Sequence, residues 1–219
     1  MDSNIVAVVI AGWLVGVVGA VFYLVPPVTG LGYLVRLAFF HIPVAWVSVL
    51  AFLVSAGAAI QYLRTRECKY DCLSACSARL GLVFCILATV SGAIFAKLTW
   101  GAYWNWDPRQ TTVFILLLIY GAYLALRAAI DEEERRAGVS AVYALLACLS
   151  VPFLVFVIPR MYFSLHPEPV LNSAGSVAMD PILLYVLIAA LGGCTALYCL
   201  LLCRAVSRKA RLSGKELHI

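Results

Sequence analysis

The chain has 219 residues, 64% of them hydrophobic and only 12% charged, with a net charge of +5. Its mean hydropathy of +0.98 excludes an ordinary soluble domain, in which roughly 25% of residues are charged, and places the chain in a lipid bilayer. The positive balance reads as a membrane-insertion signal and not as a nucleic-acid surface.

Apolar runs long enough to cross a hydrocarbon core of about 30 Å as helices predict spans at 4–25, 39–63, 80–98, 108–127, 140–158 and 181–203. The fold expected is therefore all-α: an integral membrane protein of six transmembrane helices forming one domain over 1–219, without repeats or linkers. The first run has no basic n-region and no small-residue cleavage site before Pro26 and Pro27, so it is expected to stay as a helix. Span two opens on Phe39, Phe40 and His41. Beyond it, Cys68, Cys72 and Cys76 fall on one helix face, a spacing that admits a metal site. No fourth ligand is near, and small apolar residues at a helix start are the favoured reading. Ahead of span four, Asp107 followed by Pro108 and Gln110 predicts an N-cap, a proline at the first helical position and a capping box. The run from Asp131 to Arg136 reads as a solvated loop. The segment from Pro159 to Asp180, holding Arg160, His166 and Glu168, is long for a plain connection. Pro167 biases His166 toward extended backbone, and Asp180-Pro181 repeats the cap and proline signal.

Orientation follows from Lys and Arg. Twelve of the sixteen flank the loops after spans two and four or lie in the C-terminal tail, whereas Arg36, Lys97, Arg109 and Arg160 fall on the other side. Both termini are thus expected in the cytoplasm and the loop after span three on the outer face. None of the eight cysteines falls in an outward loop, so no structural disulfide is expected there. No Cys-x-x-Cys-His occurs, which excludes a c-type cytochrome. The predicted spans hold no internal Asp or Glu, so a carboxylate proton relay has no residues to use.

The outward loop carries the densest chemistry. Trp100, Tyr103, Trp104 and Trp106 make an aromatic surface closed by Asp107 and Arg109, and three of the five tryptophans lie within seven residues. Indoles anchor loops at the headgroup level, but this density favours a platform for a planar ligand. Asp107 alone reads first as a helix cap. Of three histidines, His218 lies in the terminal tail, while His41 and His166 share the outer side with the tryptophans. A lone membrane histidine is more often an ordinary hydrogen-bonded residue. Two of them beside an aromatic platform suit haem, with axial imidazoles, ring stacking, and Arg36, Lys97, Arg109 or Arg160 for the propionates. The inner half offers no further ligands, so at most one such haem fits, and stacked haems of a transmembrane electron carrier are excluded.

The pattern Trp100-Gly101-x-x-Trp104-x-Trp106-Asp107-x-Arg109 resembles the signature loop of the tryptophan-rich haem-handling proteins of cytochrome c maturation. Six spans, the chain length, His41-x-Pro43 at the head of span two and Leu165-His166-Pro167 in the last outward loop make the chain similar to the C component of that pathway, the haem exporter protein C family. Pro108 and Gln110 depart from the small and aliphatic residues common there. The resemblance implies a subunit, not an enzyme, that holds haem b through axial His41 and His166 at the outer face of the plasma membrane. It implies delivery to a membrane-tethered haem chaperone, alongside ABC transporter subunits and a small single-span membrane subunit. The larger cytochrome c synthetases share the motif with more spans and histidines, so a lyase-like role is one alternative. Others are a haem or solute permease, which would need a polar path through nearly uncharged spans, and a scaffold whose tryptophans only anchor the loop.

Overall fold

The computed structural model describes residues 3–166 and 179–212. In chain order they form α1 (Ser3–Tyr23), a 3-10 turn (Tyr33–Leu37), α2 (Ala38–Thr65), α3 (Cys68–Trp100), α4 (Pro108–Ala129), α5 (Glu133–Pro152), a π turn (Phe153–Val157), α6 (Ile158–Met161) and α7 (Pro181–Leu212). Six helical segments, with α5, the π turn and α6 counting as one, are long and apolar enough to cross a membrane. The all-α six-span fold is as expected, and the described residues contain no strand beyond one isolated bridge, Val28 to Gly32. Glu168 and His218 lie outside the described residues.

The helices overrun the predicted spans mainly at one end. α3 starts at Cys68 instead of near 80, α5 at Glu133 instead of near 140, and α7 continues to Leu212. Apolar length detects the stretch that hydrocarbon demands, whereas a helix continues wherever its own backbone bonds and neighbours support it. The turn between α2 and α3 is correspondingly tight: Arg66 takes a left-handed φ of 58° and its N–H closes on the Tyr62 carbonyl. Cys72 and Cys76 are buried in an apolar cluster with Val47, Tyr198 and Val206.

The overrun corrects two expectations. Arg127, one of the twelve basic residues expected to flank the cytoplasmic loops, is buried, and its two terminal guanidinium nitrogens pair with the Asp71 carboxylate at 2.6 and 2.8 Å. Asp71 in turn lies in the first turn of α3, so the spans are not free of acid. A bidentate fork is the geometry that best compensates for taking two charges out of water.

α2 and α3 form the central pair, flanked by α5 and α7, with α4 against α3 and α5 and with α1 resting on α7. Small residues let the backbones approach, and short polar side chains tie them together, as membrane helices require. A Cβ at Gly81 of α3 would stand 2.6 Å from the Phe52 ring of α2. Phe52 itself stacks on Tyr120 of α4 at 3.5 Å. Ser77 donates to the Ala51 carbonyl at 2.6 Å and meets the Tyr198 hydroxyl at 2.7 Å, while Ser55 donates to the Ser74 carbonyl at 2.9 Å. α2, α3 and α7 are thereby locked in register. That frame holds His41 on α2 opposite the α3–α4 loop and the end of α6.

Candidate functional site

His41 sits one turn inside α2, two residues before the buried Pro43. Its Nδ1 lies 3.0 Å from Ser91 Oγ on α3, and the Ser91 hydroxyl donates to the Leu87 carbonyl at 2.7 Å. With the hydroxyl proton already used, the network assigns the ring proton to Nδ1, which leaves the Nε2 lone pair uncommitted. Gly92 completes the seat, because a Cβ there would come within 2.9 Å of His41 Cε1. Neither Ser91 nor Gly92 was singled out by sequence; a serine and glycine in mid-span, facing a histidine across the helix pair, was the available signal.

Asp107 is the second fixed point. Its side chain is completely buried. One oxygen accepts the Arg109 N–H at 2.9 Å, which makes it the cap of α4 as expected. The carboxylate also accepts Ser164 Oγ at 2.9 Å, the Leu165 N–H at 2.7 Å and His166 Nδ1 at 2.9 Å. The capping reading was therefore right and incomplete: the same group joins the tryptophan loop to the segment after α6. Burial pushes the Asp107 carboxyl upward, but the Arg109 and Leu165 N–H groups, the Ser164 hydroxyl and His166 outweigh it and hold it below the usual carboxylate range. For His166, burial lowers the pKa, the Asp107 carboxylate opposes, and the Arg109 charge lowers it further, so the ring lies below the usual imidazole value and is neutral at pH 7. A neutral ring donating Nδ1–H to a carboxylate presents a basic Nε2, the arrangement that orients metal-binding histidines.

The capping box is corrected. Gln110 does not return to the backbone of Asp107; its Oε1 accepts the Asn105 N–H at 2.9 Å and its Nε2 donates to the Tyr103 carbonyl at 3.2 Å. This side chain braces the loop from inside. The loop leaves α3 through Gly101, whose φ of 84° favours glycine, and enters α4 through Trp106 at φ 55°, a left-handed value that is strained for a bulky residue.

The aromatic rings do not form one flat surface. Trp104 meets Trp106 at 85° and Phe114 at 76°, and Trp100 meets Phe95 at 87° and His166 at 63° with a centroid distance of 5.0 Å. Edge-to-face contacts satisfy the ring quadrupoles and turn the loop into two corners. Trp104 faces inward, Trp100 buttresses His166, and Trp106 and Tyr103 are exposed.

Between these parts lies a cavity of about 160 Å³, lined by His41, His166, Trp104, Arg109, Gln110 and the π turn through Leu154 and Val155. The π turn follows Pro152 and is closed by the Ile158 N–H on the Phe153 carbonyl, a distortion frequent at functional sites. The volume lies below the roughly 300–1,000 Å³ of sites that enclose drug-sized ligands, so a large macrocycle would be only partly enclosed. Of the four outward bases, Arg109 alone lines this cavity, and its buried Nε has no hydrogen-bond partner among the described residues. Arg36 donates instead to the Val25 carbonyl at 3.0 Å and lies over the Tyr33 ring, Lys97 donates to the Gly101 carbonyl at 2.9 Å, and Arg160 donates to the Phe156 carbonyl at 2.8 Å. The chemistry of this donor set, two neutral imidazoles and an unsatisfied guanidinium, fits an iron porphyrin with an acidic edge.

A family model described as Heme exporter protein C matches residues 2–216. The chain is 32% identical over 160 residues to Heme exporter protein C of Bradyrhizobium diazoefficiens, covering 73% of this chain and 61% of the relative. It is 27% identical over 186 residues to the protein of the same description from Paracoccus denitrificans, covering 84% and 77%. Cytochrome c biogenesis protein CcsA of Ranunculus macranthus is 36% identical over 112 residues, 51% of this chain and 32% of that one.

Proposed function

The chain belongs to the Heme exporter protein C family, and on that premise we propose that it binds haem and hands it on for cytochrome c maturation. The cargo is haem b, held between His41 and His166 through Nε2 at the outer face of the membrane. The observation that carries this reading is that both histidines border one cavity with their Nδ1 atoms already committed, to Ser91 and to Asp107. Iron ligation needs a neutral imidazole with a fixed tautomer, and each ring has its own device for that.

Arg109, with an unsatisfied buried nitrogen at the cavity wall, takes a propionate. Trp104 stacks on or against the macrocycle, Trp100 keeps His166 from tilting, and Gly101 and Asp107 shape the loop. Arg36, Lys97 and Arg160 stay secondary candidates for the propionates, each already giving a hydrogen bond to a backbone carbonyl. Because the cavity is small, part of the haem stays uncovered beside the exposed Trp106 and Tyr103, where an acceptor can reach it. That acceptor is a membrane-tethered haem chaperone, and the complex includes ABC transporter subunits and a small single-span subunit. The protein acts as a delivery component of the plasma membrane and makes no bond of its own.

The test is the visible spectrum of detergent-purified protein after expression with ample haem. The parent is expected to show a Soret band, and His41→Ala and His166→Ala each to lose or shift it. A folded parent that stays colourless when co-expressed with its transporter partners would overturn the proposal.

A further inference from the structure

α1 and α7 touch closely at one level and part below it. Where they meet, Gly193 leaves room for Trp13 and Leu14, a Cβ there falling 2.8 Å from each, and Trp13 Nε1 donates to the Ala189 carbonyl at 2.9 Å. Toward the start of α1 and the end of α7 they diverge around a wedge of about 850 Å³. Its floor is apolar, with Val6 and Ile10 on one side and Ala196, Leu200 and Cys203 on the other. Its rim is basic: Arg204, Arg208 and Arg211, all exposed, recur on one face of α7 with Ser207 among them. No carboxylate lines the wedge among the described residues.

Such a groove calls for an occupant that is apolar along most of its length and anionic at one end. A soluble anion would leave the floor bare, and a purely apolar helix would leave Arg208 and Arg211 without an anion. Basic pockets between membrane helices on the side favoured by Lys and Arg recruit acidic lipid headgroups, and guanidinium forks suit phosphate oxygens. We propose that this wedge is a binding site for an anionic phospholipid. Its phosphate lies at Arg208 and Arg211 beside Ser207, and an acyl chain runs along Val6, Ile10 and Leu200. The site is independent of the histidine cavity, which is lined by other residues.

The experiment is native mass spectrometry of the full chain in detergent, titrated with dioleoyl phosphatidylglycerol or dioleoyl phosphatidylcholine. The phosphatidylglycerol adduct is expected to form at lower lipid concentration, and Arg208→Gln and Arg211→Gln to weaken it roughly fivefold each. Leu200→Trp, or Cys203→Phe should the first fail to fold by thermal melting, fills the wedge while leaving the charges in place and is expected to abolish the preference. Equal binding of the two lipids overturns the proposal. So does a wedge-filling variant that keeps full phosphatidylglycerol preference, which would mark a merely basic surface, or a small polypeptide found in the wedge in place of lipid.

Discussion

Asp107 accepts hydrogen bonds from two segments 57 residues apart, which makes it the residue where local and long-range demands meet. Its capping role was legible from Asp-Pro at a helix start. Its hold on Ser164, Leu165 and His166 was not, since only the fold brings the segment after α6 to that point. Asp107→Asn keeps the shape and removes the charge. Haem affinity at neutral pH is expected to fall roughly 10–100-fold, the usual cost of losing the partner that orients a ligand histidine. The carboxylate also raises the His166 pKa against burial, so its removal lowers that pKa further. Since the His166 pKa lies below the usual imidazole value, the parent should hold haem undiminished above about pH 6.5 and release it only as pH falls toward the depressed pKa. In Asp107→Asn that acid release should move to lower pH even as affinity drops, which a pH titration of the Soret band would resolve. An acid release moved upward would mean that the carboxylate acts otherwise. Ser91 plays the matching part for His41, and Ser91→Ala should weaken haem retention by a similar factor while leaving expression unchanged.

Three helical elements set the geometry, and they were legible to different degrees. The existence of α2, α3 and α4 follows from apolar length alone. Which face of α3 meets His41 depends on Gly92, where a Cβ would intrude to 2.9 Å on the ring, and no length or hydropathy argument reaches that. Gly92→Val should therefore displace His41 and shift the haem spectrum toward a single strong axial ligand, with the melting temperature much less affected; an unchanged spectrum would mean that His41 is not a ligand. The tryptophan loop was legible as an aromatic cluster but not as a pair of edge-to-face corners, because ring orientation is set by packing against Phe95, Phe114 and His166. Gln110 braces this loop through Asn105 and Tyr103. In Gln110→Ala, limited proteolysis of the folded protein should cut between Tyr103 and Asp107 sooner than in the parent.

At the scale of the molecule, the site stands at one end of a frame whose other end is fixed by Asp71 and Arg127. Apolar windows leave out Asp71 as a loop acid and stop at Arg127 as a flanking base, because neither the extension of α3 nor a partner 56 residues away is visible in local composition. With Arg127 buried and the Asp71 side chain only 12% exposed, removing one leaves a poorly compensated charge, so Asp71→Ala or Arg127→Ala should each destabilise the fold by about 3 kcal/mol, while exchanging both for apolar residues of similar size should recover most of it. Thermal melting in detergent, read as a double-mutant cycle, checks this; equal destabilisation by the single and double exchanges would contradict it.

The central claim, that two imidazoles from distant elements ligate one haem, is tested most directly by replacing each with a hole and refilling it. His41→Gly and His166→Gly would be purified with haem present and their absorption and electron paramagnetic resonance spectra recorded with and without added imidazole. The account predicts that each variant loses the six-coordinate low-spin signature and that free imidazole restores it in both. Variants that keep the parent spectrum without imidazole would show that the iron, if bound at all, is held by other residues.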